Sequence, residues 1–548
     1  MTYVLAMLPQ RPVFRLVCLV GLLIASLPGA LASQPAARAK AGGEELLGEW
    51  VSDSIAVFRG VPFAAAPVGR LRWRPPEPHR PRSGPQAARE FGPACVQSNR
   101  LDGFSRGIAA AFGKADAYRP APFRVSENCL FLNLWTGNLD ARGAPRPVMV
   151  WIHGGSNIAG EGSSPLYDGR RLAERGVVVV TLNYRLGVMG FLAHPGLTAE
   201  SDRRASGNYG LLDQLAALGW VRDNVAAFGG DPSRVTIFGE SAGSIDLLHL
   251  MASPLAAGLF HRAIAQSGAP MAALPRRSAA EAEGVRLAER LLPEGGADPE
   301  ALRALPAEQV HRAAEALTGE RRFTAGPVLD GWVLPDVTGR RFDQGHTVRV
   351  PLLIGSNARE MTTLRYYLPA VEKTVAGYRS YLTGLLGPLA ERLLALYPAE
   401  SDDAVEGALI DLTTDLYFTC PSRFAARAVG RHGQPAWLYH FERVRPGGSA
   451  LGAYHAAEIS YVFDTREEWL PGTEVDRRLS DAMMEYWTRF ATTGDPNGPG
   501  LPDWPRHDPQ ADQHLVLGDR IAVGTGLDAE ACNLADFGTR ALWGPPPA

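Results

Sequence analysis

Along this chain, short runs that are apolar at nearly every position alternate with stretches whose apolar residues recur at helical spacing. The runs are Pro147-Val148-Met149-Val150-Trp151-Ile152, Val177-Val178-Val179-Val180-Thr181-Leu182, Val235-Thr236-Ile237-Phe238, Val350-Pro351-Leu352-Leu353-Ile354 and Ala436-Trp437-Leu438-Tyr439-His440-Phe441. A strand with one wet face alternates apolar and polar positions. A strand covered on both faces does not, so these runs predict the buried strands of a largely parallel sheet. The spacing over residues 211–225 and 278–292 predicts helices between them. Alternating strand and helix predicts one α/β core. Residues 272–345 are richer in Ala, Arg and Glu, which predicts helices inserted above the sheet, beside a site. No internal repeat is visible, and no linker divides residues 45–548.

The most informative stretch is Gly239-Glu240-Ser241-Ala242-Gly243. It follows the run ending at Phe238 and precedes a helical pattern over residues 244–251. The spacing G-x-S-x-G between a strand and a helix is that of a nucleophile elbow. A serine on so sharp a turn has strained backbone angles and crowded neighbours, and flanking glycines remove the Cβ atoms that would clash. The helix that follows directs its free N–H groups and its positive dipole end at an oxyanion. A serine hydroxyl needs a base, and the base needs an orienting carboxylate. On this type of fold they follow in the order serine, acid, histidine.

Composition narrows the setting. With 548 residues, 46% hydrophobic and 21% charged, and a net charge of −3, the chain reads as globular. Near-neutral charge makes no electrostatic case for nucleic acid or an anionic membrane. Arg11 and Arg15, the apolar residues 16–27 and the small-x-small pattern Ala30-Leu31-Ala32 predict a signal peptide over residues 1–32. The apolar run is too short to span a bilayer comfortably. Export follows, to the periplasm or beyond, with no membrane anchor after cleavage. Residues 33–44 read as a flexible leader. Cys18 leaves with the signal peptide, and Cys95, Cys129, Cys420 and Cys532 remain for an oxidising compartment, where four cysteines allow three pairings. No C-x-x-C spacing supports a metal, and nothing calls for a cofactor.

Further motifs carry a resemblance. They include Phe58-Arg59-Gly60-Val61-Pro62-Phe63-Ala64, Ser126-Glu127-Asn128-Cys129-Leu130-Phe131-Leu132-Asn133, Phe228-Gly229-Gly230-Asp231-Pro232 ahead of the elbow, and Thr493-Gly494-Asp495-Pro496-Asn497. In this order they make the chain resemble the type-B carboxylesterases, which also contain cholinesterases and bacterial para-nitrobenzyl esterases, from about residue 44 to 535. The resemblance implies an α/β-hydrolase fold, with a large mostly parallel sheet flanked by helices and helical insertions around the active site. It implies Glu360, in Gly355-Ser356-Asn357-Ala358-Arg359-Glu360, as the orienting acid, and His455, ahead of Glu458-Ile459-Ser460-Tyr461-Val462-Phe463, as the base. It implies oxyanion donors from the N–H groups of Gly155, Ser156 and Ala242. It pairs Cys95 with Cys129 and, less securely, Cys420 with Cys532. Ser267 matches a serine behind the triad, and Arg72 and Glu127 match an ion pair of the N-terminal region, read here as exposed and weak.

The chain departs from the family beside the oxyanion hole. Ser156 stands where a third glycine is usual, Asn157 where an aromatic is usual, and Met361 where glycine commonly follows the acid. If Asn157 faces the acyl group, the pocket favours short or polar acyl chains. The reading is therefore a serine hydrolase of small carboxylic esters. Its alternatives are hydrolysis of another acyl bond (amide, carbamate or lactone) and a non-catalytic recognition module. Cholinesterase activity is disfavoured, because the loop between Cys95 and Cys129 has no tryptophan to cradle a quaternary ammonium.

Overall fold

In the computed structural model, which describes residues 36–543 except 99, 122, 140–142, 272, 294–297 and 320–325, thirteen strands form one sheet. They are β1 (Ala37–Ala41), β2 (Glu44–Trp50), β3 (Ala56–Pro62), β4 (Pro85–Ala87), β5 (Phe131–Thr136), β6 (Arg146–Ile152), β7 (Val178–Leu182), β8 (Gly230–Glu240), β9 (Arg262–Gln266), β10 (Leu352–Asn357), β11 (Ala436–Phe441), β12 (Gln513–Leu517) and β13 (Ile521–Thr525). The order is β1-β2-β3-β5-β7-β6-β8-β9-β10-β11-β12-β13, with β4 beside β2. From β7 to β12 every pairing is parallel. Antiparallel strands finish the sheet at both ends.

The all-apolar runs are the parallel block, because both faces of that block are covered. Along β6, Val148, Val150 and Ile152 join one core with Leu211 and Leu218 of the helix Tyr209–Asn224 and with Leu247 and Leu250 of the helix Ala242–Ala252. Met149 and Trp151, on the opposite face, join a second core with Trp487 and Phe490 of the helix Glu474–Thr493. All five β6 side chains are fully buried. At roughly 1.5–3 kcal/mol for each large apolar side chain removed from water, such strands are the main stabilising element of the molecule.

Three expectations are corrected. The leader expected over residues 33–44 is a strand from Ala37: β1 pairs antiparallel with β2, with Ala37 opposite Gly48 and Ala41 opposite Glu44. Ala-Arg-Ala-Lys-Ala alternates buried and exposed positions, but its small side chains carry little apolar signal. The Arg72–Glu127 pair is not an exposed one. Arg72 Nε and Nη2 donate to the two Glu127 oxygens at 2.7 and 2.6 Å, with side-chain exposures of 6% and 16%. A third donation reaches the Leu305 carbonyl at 2.6 Å, so the pair binds the 70s loop to the inserted helices. The third correction concerns those helices and the site, and is given below.

The inserted region is helical, with helices Arg277–Leu291, Pro299–Ala304, Ala307–Gly319 and Thr338–Asp343. Disulfides join Cys95 to Cys129 and Cys420 to Cys532. No helix among the described residues is long and apolar enough to cross a membrane. The segment read as a signal peptide, residues 1–32, lies outside the described residues.

Candidate active site

Strand β8 ends at Glu240, and the helix Ala242–Ala252 begins directly after Ser241. Ser241 takes φ 55° and ψ −122°, a backbone conformation that L-residues rarely adopt. Its N–H donates to the Gln266 carbonyl at 2.9 Å, which holds the turn against β9. The glycines of the motif are required by close approach. A Cβ at Gly243 would lie 2.0 Å from the Ile152 carbonyl, and one at Gly239 would lie 2.7 Å from it.

His455 sits opposite, on a buried loop, between two carboxylates. Its Nδ1 lies 2.6 Å from Glu360 Oε2, and its Nε2 lies 3.1 Å from Glu240 Oε1. The second oxygen of Glu360 accepts the Asn357 N–H at 2.7 Å, which fixes the carboxylate; Met361, after it, is fully buried and leaves it within reach of the ring. Phe418 packs on the His455 ring with centroids 5.2 Å apart. Behind stands Glu458, fully buried, accepting from Asn357 Nδ2 at 2.6 Å and Gln266 Nε2 at 3.0 Å. In this conformation the Nε2 edge meets Glu240 rather than the Ser241 hydroxyl. Catalytic hydrogen bonds often close only when substrate is bound.

The charges here are coupled. Burial would lower the His455 pKa, but Glu240 and Glu360 outweigh burial and raise it to about 9. Burial, with repulsion from Glu458 and Glu360, pushes Glu240 up to about 8, against the pull of His455. Each partner's shift depends on the other's charge, so the two titrations are linked. The upward direction of His455 is the firmer one, because Glu360 holds the Nδ1 edge whichever form Glu240 takes. From the sequence, Glu240 is only the residue that precedes Ser241 in the elbow. Its place beside Nε2 was missed because nothing in a lone Gly-Glu-Ser shows what faces it.

The loop after β6 carries His153-Gly154-Gly155-Ser156 to the mouth of the elbow. Gly155, Ser156 and Asn157 all take positive φ, at 111°, 57° and 58°. At Gly155 a Cβ would meet the Ala159 carbonyl at 2.1 Å, so only glycine fits. Gly155, Ser156 and Ser241 border a common cavity, Ser156 Oγ lies 2.9 Å from the Tyr367 hydroxyl, and Ala242 is the first residue of the helix.

Asn157 does not face that cavity, which corrects the assignment of this residue to the substrate pocket. Its side chain is 4% exposed and turns inward, donating from Nδ2 to Asp246 Oδ1 at 3.0 Å and accepting from the Tyr184 hydroxyl at 3.0 Å. An amide needs such partners once buried, and the interior supplies them. The expected preference for short or polar acyl chains therefore loses its structural basis.

The cavity measures about 1360 Å³ and contains Ser241, His455 and Glu240. Its walls come from the loop inside the Cys95–Cys129 disulfide, through Phe104 and Tyr118, and from residues 362–367 and 451–470. None of the described residues 273–343 borders it, so the inserted helices are not beside the site as expected. They support it from outside: Ser98 donates to Glu315 Oε1 at 2.5 Å. Ser267 is fully buried at the end of β9, with φ 52° and its N–H on the Gly355 carbonyl at 2.9 Å. It lies behind the elbow, not in the cavity. Among the described residues no group of three His, Cys, Asp or Glu is placed to hold a metal ion.

The chain is similar over most of its length to known proteins. The model of the carboxylesterase family matches residues 42–535. The chain is 39% identical to the fumonisin B1 esterase of Sphingopyxis macrogoltabida over 494 residues, 87% of this chain and 86% of that protein. It is 35% identical to the para-nitrobenzyl esterase of Bacillus subtilis (strain 168), over 86% of this chain and 93% of that one. A solved PNB esterase superposes with a TM-score of 0.76 at 32% identity, covering 91% of this chain and 99% of its own.

Proposed function

This chain belongs to the carboxylesterase family, and from that premise we propose that it hydrolyses carboxylic esters through an acyl-enzyme on Ser241. The observation that carries the reading is the bridge from Glu360 Oε2 to His455 Nδ1, 2.6 Å long and buried, behind the cavity that His455 and Ser241 border. His455 Nε2 accepts the Ser241 proton as Oγ attacks the ester carbonyl, and Glu360 stabilises the imidazolium that results. The carbonyl oxygen becomes an oxyanion, held by the N–H groups of Gly155, Ser156 and Ala242 at the N-terminus of the helix. Each such donor contributes about 3–4 kcal/mol to the transition state. The imidazolium then protonates the departing alcohol, and water repeats the sequence on the acyl-enzyme. The pairing of His455 with a buried Glu360, beside a cavity that Ser241 and His455 border, favours this reading over the non-catalytic alternative.

A cavity of about 1360 Å³ exceeds what a short acyl group fills. We infer a substrate with a bulky acyl or alcohol part. Two disulfides fit an exported protein, which supports the reading of residues 1–32 as a cleaved signal. The test is turnover of p-nitrophenyl esters of graded acyl length beside the matching p-nitroanilides. The esters should be hydrolysed and the anilides not, and Ser241→Ala should lower kcat at least a thousandfold. Full activity in Ser241→Ala, or faster turnover of the anilides, would overturn the reading.

A further inference from the structure

Asn157, a departure in the oxyanion loop, does not border the cavity. It is buried and fully engaged. Its backbone carbonyl accepts the Gly187 N–H at 2.6 Å, its Oδ1 accepts from Tyr184, and its Nδ2 donates to Asp246. Asp246 lies on the helix Ala242–Ala252, one turn beyond Ser241, and is itself fully buried. Its other oxygen accepts Gln214 Nε2 at 2.6 Å, so both carboxyl oxygens are filled by amides. The Tyr184 hydroxyl also lies 3.0 Å from the His153 carbonyl, at the start of the same loop. One amide thus joins the loop that carries Gly155 and Ser156 to the helix that carries Ser241 and Ala242.

We propose that Asn157 and Asp246 are positioning residues, a hydrogen-bonded tie that sets the distance between the oxyanion loop and the nucleophile helix. The proposal rests on the reading of Ser241 as nucleophile and of Gly155, Ser156 and Ala242 as oxyanion donors. The donors come from two separate elements. Both Ser156 and Asn157 hold positive φ, a conformation with an intrinsic cost that surrounding contacts must offset. Without the tie the loop can relax, and the donors no longer converge on one oxygen. A misplacement of about 1 Å costs on the order of 100-fold in rate.

The experiment uses the full protein, p-nitrophenyl acetate as substrate, and a trifluoromethyl ketone, which forms a tetrahedral oxyanion on the serine. Asn157→Leu keeps the side-chain size and removes both hydrogen bonds. It should lower kcat by about 10–100-fold with KM within about twofold, and weaken the ketone by a similar factor, because only the oxyanion feels the donors. Asn157→Asp sets two carboxyls face to face and should cost at least as much. Adding Asp246→Asn to it restores an amide–carboxyl pair with the roles exchanged, and should recover at least tenfold of that loss. This exchange decides the matter even if Asn157→Leu does not fold. Parent-like kcat and ketone binding in folded Asn157→Leu, or no recovery in the exchanged pair, would overturn the tie. Ser241→Ala runs beside these variants: if it stays active, the underlying reading fails, whereas an inactive Ser241→Ala with indifferent Asn157 variants removes the tie alone.

Discussion

At the scale of single residues, the site turns on what faces His455. Glu360 is hydrogen-bonded to its Nδ1, Glu240 Oε1 lies 3.1 Å from its Nε2, and both favour the imidazolium. The base works only when neutral, so activity should fall as pH drops through the coupled pKa of this group. That fall should come above the usual histidine value, since His455 is raised to about 9. Glu240→Gln removes one of the two carboxylates. The acid limb of kcat/KM should then move about one pH unit lower, and the variant should keep more of its maximal rate at pH 6 than the parent does. A limb that stays in place would mean that Glu240 is protonated throughout the working range and contributes no charge. The proposed triad of Ser241, Glu360 and His455 could be named from the sequence because three motifs in a fixed order point to three residues. Glu240 and Asn157 could not, because their roles depend on which way a side chain turns across a gap between distant segments. Asn157 could have been read as buried only by noticing Asp246, five residues past the serine, as a possible partner.

At the scale of elements, the two disulfides do different work. Cys95–Cys129 closes a loop with a sequence separation of 34 that supplies cavity wall. Cys420–Cys532 spans a separation of 112 and fastens the helix Ala529–Leu542 to the helix Cys420–Arg431. Chain-entropy arguments assign about 4 and about 5 kcal/mol to loops of these lengths. Replacing Cys420 and Cys532 by serine should lower the denaturant midpoint while kcat and KM stay near parent values, because neither residue borders the cavity. Replacing Cys95 and Cys129 should raise KM as well, because the wall loosens. Equal effects of both pairs on KM, or none on the midpoint, would contradict this division. The pairing itself followed from the family resemblance, since four cysteines alone leave three choices. The strand Ala37–Ala41 was hidden for a different reason: alanines on a pleat bury little area and leave no hydrophobic signature. The inserted helices were legible as helices. Their distance from the cavity was not, since helical spacing does not say where a helix docks.

At the scale of the molecule, the parallel block was the most legible feature, because burial on both faces keeps most positions of β6, β7, β10 and β11 apolar. That block places the C-terminal ends of β8, β9 and β10 side by side, so the elbow, the Ser267 turn and the acid loop meet there. The histidine arrives from a loop beyond β11, and the cavity is closed by loops whose course no local pattern describes. Under the proposed function, this arrangement activates one of the many serines of the chain. The most direct measurement is therefore covalent: intact mass after treatment with a fluorophosphonate, followed by fragment spectra of the tryptic peptides. The account predicts a single adduct in peptide 235–262, located on Ser241 and absent from Ser241→Ala. An adduct on Ser244, on Ser253 or on Ser267 in the next peptide, or no adduct in an enzyme that still hydrolyses esters, would contradict it.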